Sequence, residues 1–239
     1  MTDAMGTRCV FALLLPATNT ITEPDLASLR PAGVSNQTYR FPFPGMPDTL
    51  DALLDMMRPT VGLMLECEPD AVIVGYTTEF LPDGLEAAAR LRDFVEDAVR
   101  RPTTMASDAV PEALHAIGAR RIGVVTPYTP AGDANVKAYF EALGFEVAAI
   151  GGLSTKGKVH TARLTEAQVR GVFEAVDVAG VEALVQVGTN LVCAGFAASL
   201  EARHGKPVIP VNTAAYWAAL RRAGVADRVA GFGSLLERY

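Results

Sequence analysis

Two stretches of this chain end in the same way, and that constrains its fold more than any other feature. Asp70-Ala-Val-Ile-Val-Gly-Tyr-Thr-Thr78-Glu79 and Glu182-Ala-Leu-Val-Gln-Val-Gly-Thr-Asn190-Leu191 are short apolar, β-branched runs that break into glycine and small polar residues. A run of roughly four to eight such residues bounded by turn formers is the pattern of a buried parallel strand. The polar residues then lie just past the strand's carboxyl end, where ligands bind in open α/β sheets. Two ends of one design point to a site between two similar halves.

The rest of the chain fits that division. In the first half, strands are expected at Val10–Leu15, Thr38–Phe43, the Asp70 run and Pro102–Ala106. Helices are expected between them, one starting at Thr22 as N-cap, then Asp48–Leu65, Leu85–Arg100, and Ala109–Ile117 capped by Asp108 and ended by Gly118. The order then restarts: strand Arg121–Thr126, helix Asn135–Leu143, strand Phe145–Ile150, a glycine-rich loop, and helix Thr165–Val176. After the Glu182 run come helix Ala194–His204, strand Pro207–Val211 and helix Thr213–Arg222. Strands alternating with helices predict parallel sheets with right-handed crossovers. The fold class is therefore α/β: two similar doubly wound parallel-sheet domains related by a pseudo-twofold, with a ligand cleft between them. Residues 1–108 with 212–239 are expected to form the first domain and 109–211 the second.

Composition narrows the function. The 239 residues are 50% hydrophobic and carry a net charge of −6, which offers no basic field to nucleic acid. No run approaches the roughly 18–20 apolar residues of a membrane span, and Val10–Leu15 is too short for a signal-peptide core. The three cysteines, Cys9, Cys67 and Cys193, show no CxxC spacing or disulfide framework. A soluble, cytoplasmic protein is expected. No zinc, EF-hand or HExxH pattern is present, and Gly151-Gly152 lacks the rest of a dinucleotide fingerprint, so neither metal nor cofactor is implied.

Several short motifs resemble one enzyme family. Pro16-Ala-Thr-Asn19-Thr-Ile-Thr-Glu23-Pro, Thr126-Pro127-Tyr128 with Asn135, Gly188-Thr189-Asn190-Leu191 and Val211-Asn212-Thr-Ala-Ala-Tyr-Trp217 are similar, in this order, to motifs of maleate cis–trans isomerases. Arylmalonate decarboxylases and aspartate/glutamate racemases share that fold. The resemblance implies a cofactor-independent enzyme acting on a small carboxylate or dicarboxylate. It also implies cysteine chemistry at one or both strand ends, where this chain has Thr77 and Gly188. A glycine cannot be acid, base or nucleophile, and a threonine hydroxyl needs an adjacent base. The expected step is therefore a non-thiol lyase, hydratase or isomerase reaction.

Thr77, Glu79 and Tyr128 are the candidate catalytic residues. Tyr128 can donate to a carboxylate or enolate, or it can be a packing group. Glu79 can be a general acid or base if buried, or it can merely complement a helix dipole. Asn19, Thr78, Gly188, Thr189, Asn190 and Asn212 are the candidate binding residues. Asn19 can alternatively close an Asx-turn and Asn212 can cap a helix. Cys193 is either a thiol activated by a helix N-terminus or an inert core residue. His160, after Lys156 and Lys158, lies in a loop that can close over an anion. The rival reading is a catalytically silent carboxylate-binding protein; a periplasmic-type binding fold is a weaker third. The apolar faces of the helices at Leu53–Leu65 and Leu85–Val99 suit either a homodimer or the core.

Overall fold

The computed structural model describes residues 4–239. The first half runs β1 (Cys9–Pro16), α1 (Thr22–Ser28), β2 (Val34–Phe41), α2 (Leu50–Leu63), β3 (Ala71–Val74), α3 (Gly84–Val99), β4 (Thr103–Met105) and α4 (Ala106–Ile117). The second runs β5 (Arg121–Thr126), α5 (Pro130–Ala142), β6 (Glu146–Gly152), α6 (Lys158–Ala162), α7 (Glu166–Val176), β7 (Ala183–Gln186), α8 (Ala197–His204), β8 (Val208–Pro210), α9 (Val211–Arg222) and α10 (Ser234–Arg238). Two four-stranded parallel sheets result, ordered β2-β1-β3-β4 and β6-β5-β7-β8. The second order is the first advanced by four strands. Even the strand ends match: Gly75 N–H donates to Leu14 O, and Val187 N–H to Val125 O, both at 3.0 Å.

Both faces of each sheet are covered at its central strands, which is why β1, β3, β5 and β7 read as largely apolar runs. In β1 the odd positions Cys9, Phe11, Leu13 and Leu15 face a central core shared with α4, α5, α9 and the second sheet. The even positions Ala12 and Leu14 face an outer core under α2 and α3. The second sheet has its own outer core under α7 and α8, around Phe173, Leu184 and Leu200. Among the described residues, no helix is long and apolar enough to cross a membrane.

Several helix starts differ from expectation, each for a local reason. Thr22 is the first residue of α1 rather than its cap, because Asn19 supplies the acceptor for the Ile21 and Thr22 N–H groups. Asp108 lies in the first turn of α4, which begins at Ala106, and its carboxylate instead accepts from Arg92. Helix α5 begins five residues early, with Pro130 in the first turn, where its missing N–H costs nothing. Asn212 does not cap α9, whose cap position is Pro210. Strand β2 starts at Val34, earlier than expected, and stops at Phe41.

Pro111 falls inside α4 and deprives Ser107 O of its helical donor. Tyr139 of α5 donates its hydroxyl to that carbonyl at 3.3 Å, so the proline is matched by a contact across the halves. Tyr139→Phe is expected to cost about 1–2 kcal/mol. Pro111→Ala, which restores the N–H, should recover most of it. Urea denaturation of both single variants and the double variant checks this; additive losses would refute it.

Candidate functional site

In each sheet the chain order reverses between the central strands, β1 with β3 and β5 with β7. Loops diverge there and leave a crevice at the carboxyl ends. The four loops that follow these strands meet and enclose a cleft of about 560 Å³. Pro16, Thr18 and Asn19 come from the loop after β1, Tyr76, Thr77 and Phe80 from that after β3. Pro127 and Tyr128 follow β5, and Gly188, Thr189 and Asn190 follow β7.

Tyr128 is the centre of the polar end. Its hydroxyl lies 3.1 Å from Thr77 Oγ1 and donates to Glu79 Oε1 at 3.5 Å. Its ring packs on Phe80 at 4.8 Å between centroids. The loop is pinned from below: Tyr128 N–H donates to Thr126 Oγ1 at 3.0 Å, and that hydroxyl donates in turn to Asp133. Glu79 lies behind Tyr128, 2% exposed, with Oε2 lacking any hydrogen-bond partner. Burial pushes its carboxyl up to about 7 against the opposing hydrogen bonds of its own backbone, Thr77, Tyr128 and the Thr78 backbone. Burial, then the neighbouring Glu79, hold the Tyr128 hydroxyl well above its ordinary value. These three hydroxyl and carboxyl groups thus form a hydrogen-bonded chain from the interior to the cleft.

Gly188 closes the other side at φ +87°. A Cβ there would meet Pro127 Cγ at 2.6 Å and Cδ at 2.8 Å, so the proline ring fills the space a side chain would take. Gly188→Ala is expected to destabilise the fold by about 2–4 kcal/mol, combining left-handed strain with overpacking. An unchanged denaturation midpoint would refute this.

The remaining candidates divide by where their side chains go. Asn19 uses its whole amide on the protein: Oδ1 accepts from Ile21 and Thr22, and Nδ2 donates to Thr22 Oγ1 at 2.9 Å and Thr189 Oγ1 at 3.1 Å. Thr189 Oγ1 donates on to Gly75 O at 3.1 Å. Asn212 lies beneath the cleft rather than in its lining, donating to Thr189 O at 3.0 Å and to Asp25 Oδ2 at 2.8 Å. This network ties the second-half loop to the first half. Thr78 also turns away from the cleft and donates to Gly84 O at 2.8 Å. Asn190 lines the cleft while its amide donates to Lys158 O at 2.8 Å and Thr18 O at 3.3 Å.

None of the three cysteines is in the cleft lining. Cys193 is fully buried, and burial holds its thiol well above its ordinary value; activation by a helix N-terminus is overruled by desolvation. His160 is exposed, and its Nδ1 accepts from Lys156 N–H at 3.0 Å. Sequence reasoning missed the apolar wall, where Tyr76 and Phe80 line the cleft. Phe41 and Phe43 pack edge-on behind Tyr76, which meets Phe80 in turn, and Phe80 leads on to Tyr128. It also placed Lys158 only as a loop cation, whereas Lys158 lines the cleft.

A family profile for arylmalonate decarboxylases matches residues 67–236. The chain belongs to the arylmalonate decarboxylase family. It is 31% identical over 137 residues to a maleate isomerase of Pseudomonas putida, covering 57% of this chain and 55% of the relative. It is 30% identical over 155 residues to the arylmalonate decarboxylase of Bordetella bronchiseptica, covering 62% and 63%. Each match spans less than two thirds of the relative's own length. Among solved structures, a cysteine-to-serine variant of Nocardia farcinica maleate cis–trans isomerase superposes with a TM-score of 0.87 at 23% identity, over 97% of this chain and 99% of that one. That isomerase carries a covalently bound succinylcysteine intermediate. The fold is thus common to isomerases and decarboxylases of small acids.

Proposed function

We infer that this member of the family is a cofactor-independent lyase, hydratase or isomerase of a small carboxylate or dicarboxylate, working without a thiol. The observation that carries this reading is the buried Glu79–Tyr128–Thr77 chain opening on the cleft. The substrate's reacting carboxylate would lie against Thr77, Gly188, Thr189 and Asn190. Charge developing on its oxygens as an enolate forms would be met by the Thr77 and Tyr128 hydroxyls, placed before the reaction begins. Tyr128 would pass its proton to the enolate carbon as protonated Glu79 passes its own to the tyrosine oxygen; in the reverse direction the Glu79 carboxylate would accept the tyrosine's proton as the tyrosine takes the substrate's α-proton. Asn19, Thr78 and Asn212 would hold the loops rather than the ligand. We divide the two domains, as distinct from the halves in chain order, at 108/109 and 211/212: besides its counterpart α4, α9 packs against α1, β3 and β4 of the first sheet's layer, which returns the C-terminal segment to the first domain.

The absence of a cysteine from the cleft lining favours a second reading, a carboxylate-binding protein without turnover. Proton NMR in D₂O separates the two. The protein is mixed with maleate, malate, aspartate, phenylmalonate and a hydantoin. Isomerisation, hydration, decarboxylation or α-proton exchange of any member supports the enzyme. Silence with ligand-dependent thermal stabilisation supports the binder; about 2.7 kcal/mol is expected at a hundredfold excess over Kd. Silence without stabilisation sinks both.

A further inference from the structure

Among the described residues lining the cleft, Lys158 is the only charged one. It comes from the start of α6, in the second half, and its Nζ stands 3.1 Å from the centroid of the Phe43 ring in the first half. An aromatic face attracts a cation but offers no lone pair to its N–H bonds. Burial alone pulls the ammonium down to about 8, with no acidic neighbour acting on it. A surface lysine ordinarily extends its charge into water; this one is half-buried in a largely apolar recess. Its backbone is fixed as well, since Lys158 O accepts from Asn190 Nδ2 at 2.8 Å, two residues past Gly188. Nearby, Thr18 lines the same cleft, and its buried hydroxyl has no hydrogen-bond partner.

A desolvated cation on a residue that lines the cleft, with no carboxylate among the described lining residues, lacks a counter-charge that a ligand can bring. We propose that Lys158 is the specificity-determining residue of this cleft, anchoring a second carboxylate of a dianionic substrate whose first carboxylate lies at Thr77 and Tyr128. The proposal rests on the reading of the cleft as a carboxylate site. It has a chemical consequence. A carboxylate held by a fixed cation is stabilised in the ground state, and losing it as CO₂ would forfeit that attraction. With the enolate charge developing on the first carboxylate, the product keeps both, which favours isomerisation or hydration over decarboxylation.

The test is calorimetric binding at pH 7 with two matched pairs: phenylmalonate against 2-phenylpropionate, and maleate against isocrotonate. In each pair the second ligand replaces one carboxylate by methyl. The wild-type protein should bind at least one dianion more tightly than its matched monoanion. Lys158→Met should weaken that dianion about tenfold or more, and leave the monoanion within about twofold. Lys158→Arg, keeping the charge, should retain most of the preference, and thermal melts confirm that both variants fold. Equal losses on both members of a pair, no loss on either, or no wild-type binding of either dianion would overturn the assignment. Binding is read without turnover, so a protein that prefers dianions through Lys158 but leaves every NMR substrate unchanged would sink the catalytic reading alone.

Discussion

Tyr128→Phe is expected to lower kcat/KM by about 10²–10³ on whichever acid the protein turns over, the usual cost of removing one donor to a developing oxyanion. The loss should fall mainly on kcat, because the hydroxyl's bond to substrate strengthens as charge moves onto oxygen. Folding should change little. The phenyl ring keeps its contact with Phe80, 4.8 Å away, and one modest hydrogen bond is worth about 1 kcal/mol. Thr77→Val is the companion variant: it removes the hydroxyl 3.1 Å from Tyr128 Oη and preserves shape. If the two hydroxyls act on one oxyanion, the double variant should be hardly worse than Tyr128→Phe alone. Steady-state rates of the three variants decide it. A Tyr128→Phe protein within threefold of wild type would remove Tyr128 from the chemistry.

The frame of this molecule was readable because both sheets are covered on each face. Continuous apolar runs such as Ala71–Val74 and Ala183–Gln186 then stand out from the amphipathic helices around them. Thr77, Gly188, Thr189 and Asn190, which follow those runs, line the cleft, since a strand's end fixes where the next residues emerge. What failed to show in sequence depends on distant partners. Glu79 reads as a first-turn helix acid, but α3 begins only at Gly84, and the intervening loop folds inward. Gly84 permits this, as a Cβ there would lie 2.7 Å from Thr78 O. Asn19 reads as a ligand group ahead of a loop former until Thr189, 170 residues away, takes one of its donors. Lys158 and Phe43 belong to different halves, and no periodicity within either relates them.

The buried Glu79 carboxyl should make both stability and activity depend on pH, and the sign is fixed by its displacement. Its ordinary value is 4.5, and burial raises it to about 7 in the folded protein. Between those values the folded chain holds a proton that the unfolded chain has released, so stability falls as pH rises. The contribution is fully present below about 4.5 and lost through about 7, a span worth about 3 kcal/mol. Burial raises Asp25 to about 6 in the same direction, so the whole-protein slope is not specific to Glu79. The difference between wild type and Glu79→Gln is, because every other group cancels. That difference should move by about 3 kcal/mol in favour of Gln between pH 5 and pH 8 in denaturant titrations. A pH-independent difference would place the Glu79 carboxyl at its ordinary value. Activity carries the same titration: if protonated Glu79 resupplies Tyr128, wild-type kcat should fall about tenfold per pH unit above about 7. Glu79→Gln, unable to pass a proton, should be slow at every pH and lack that limb.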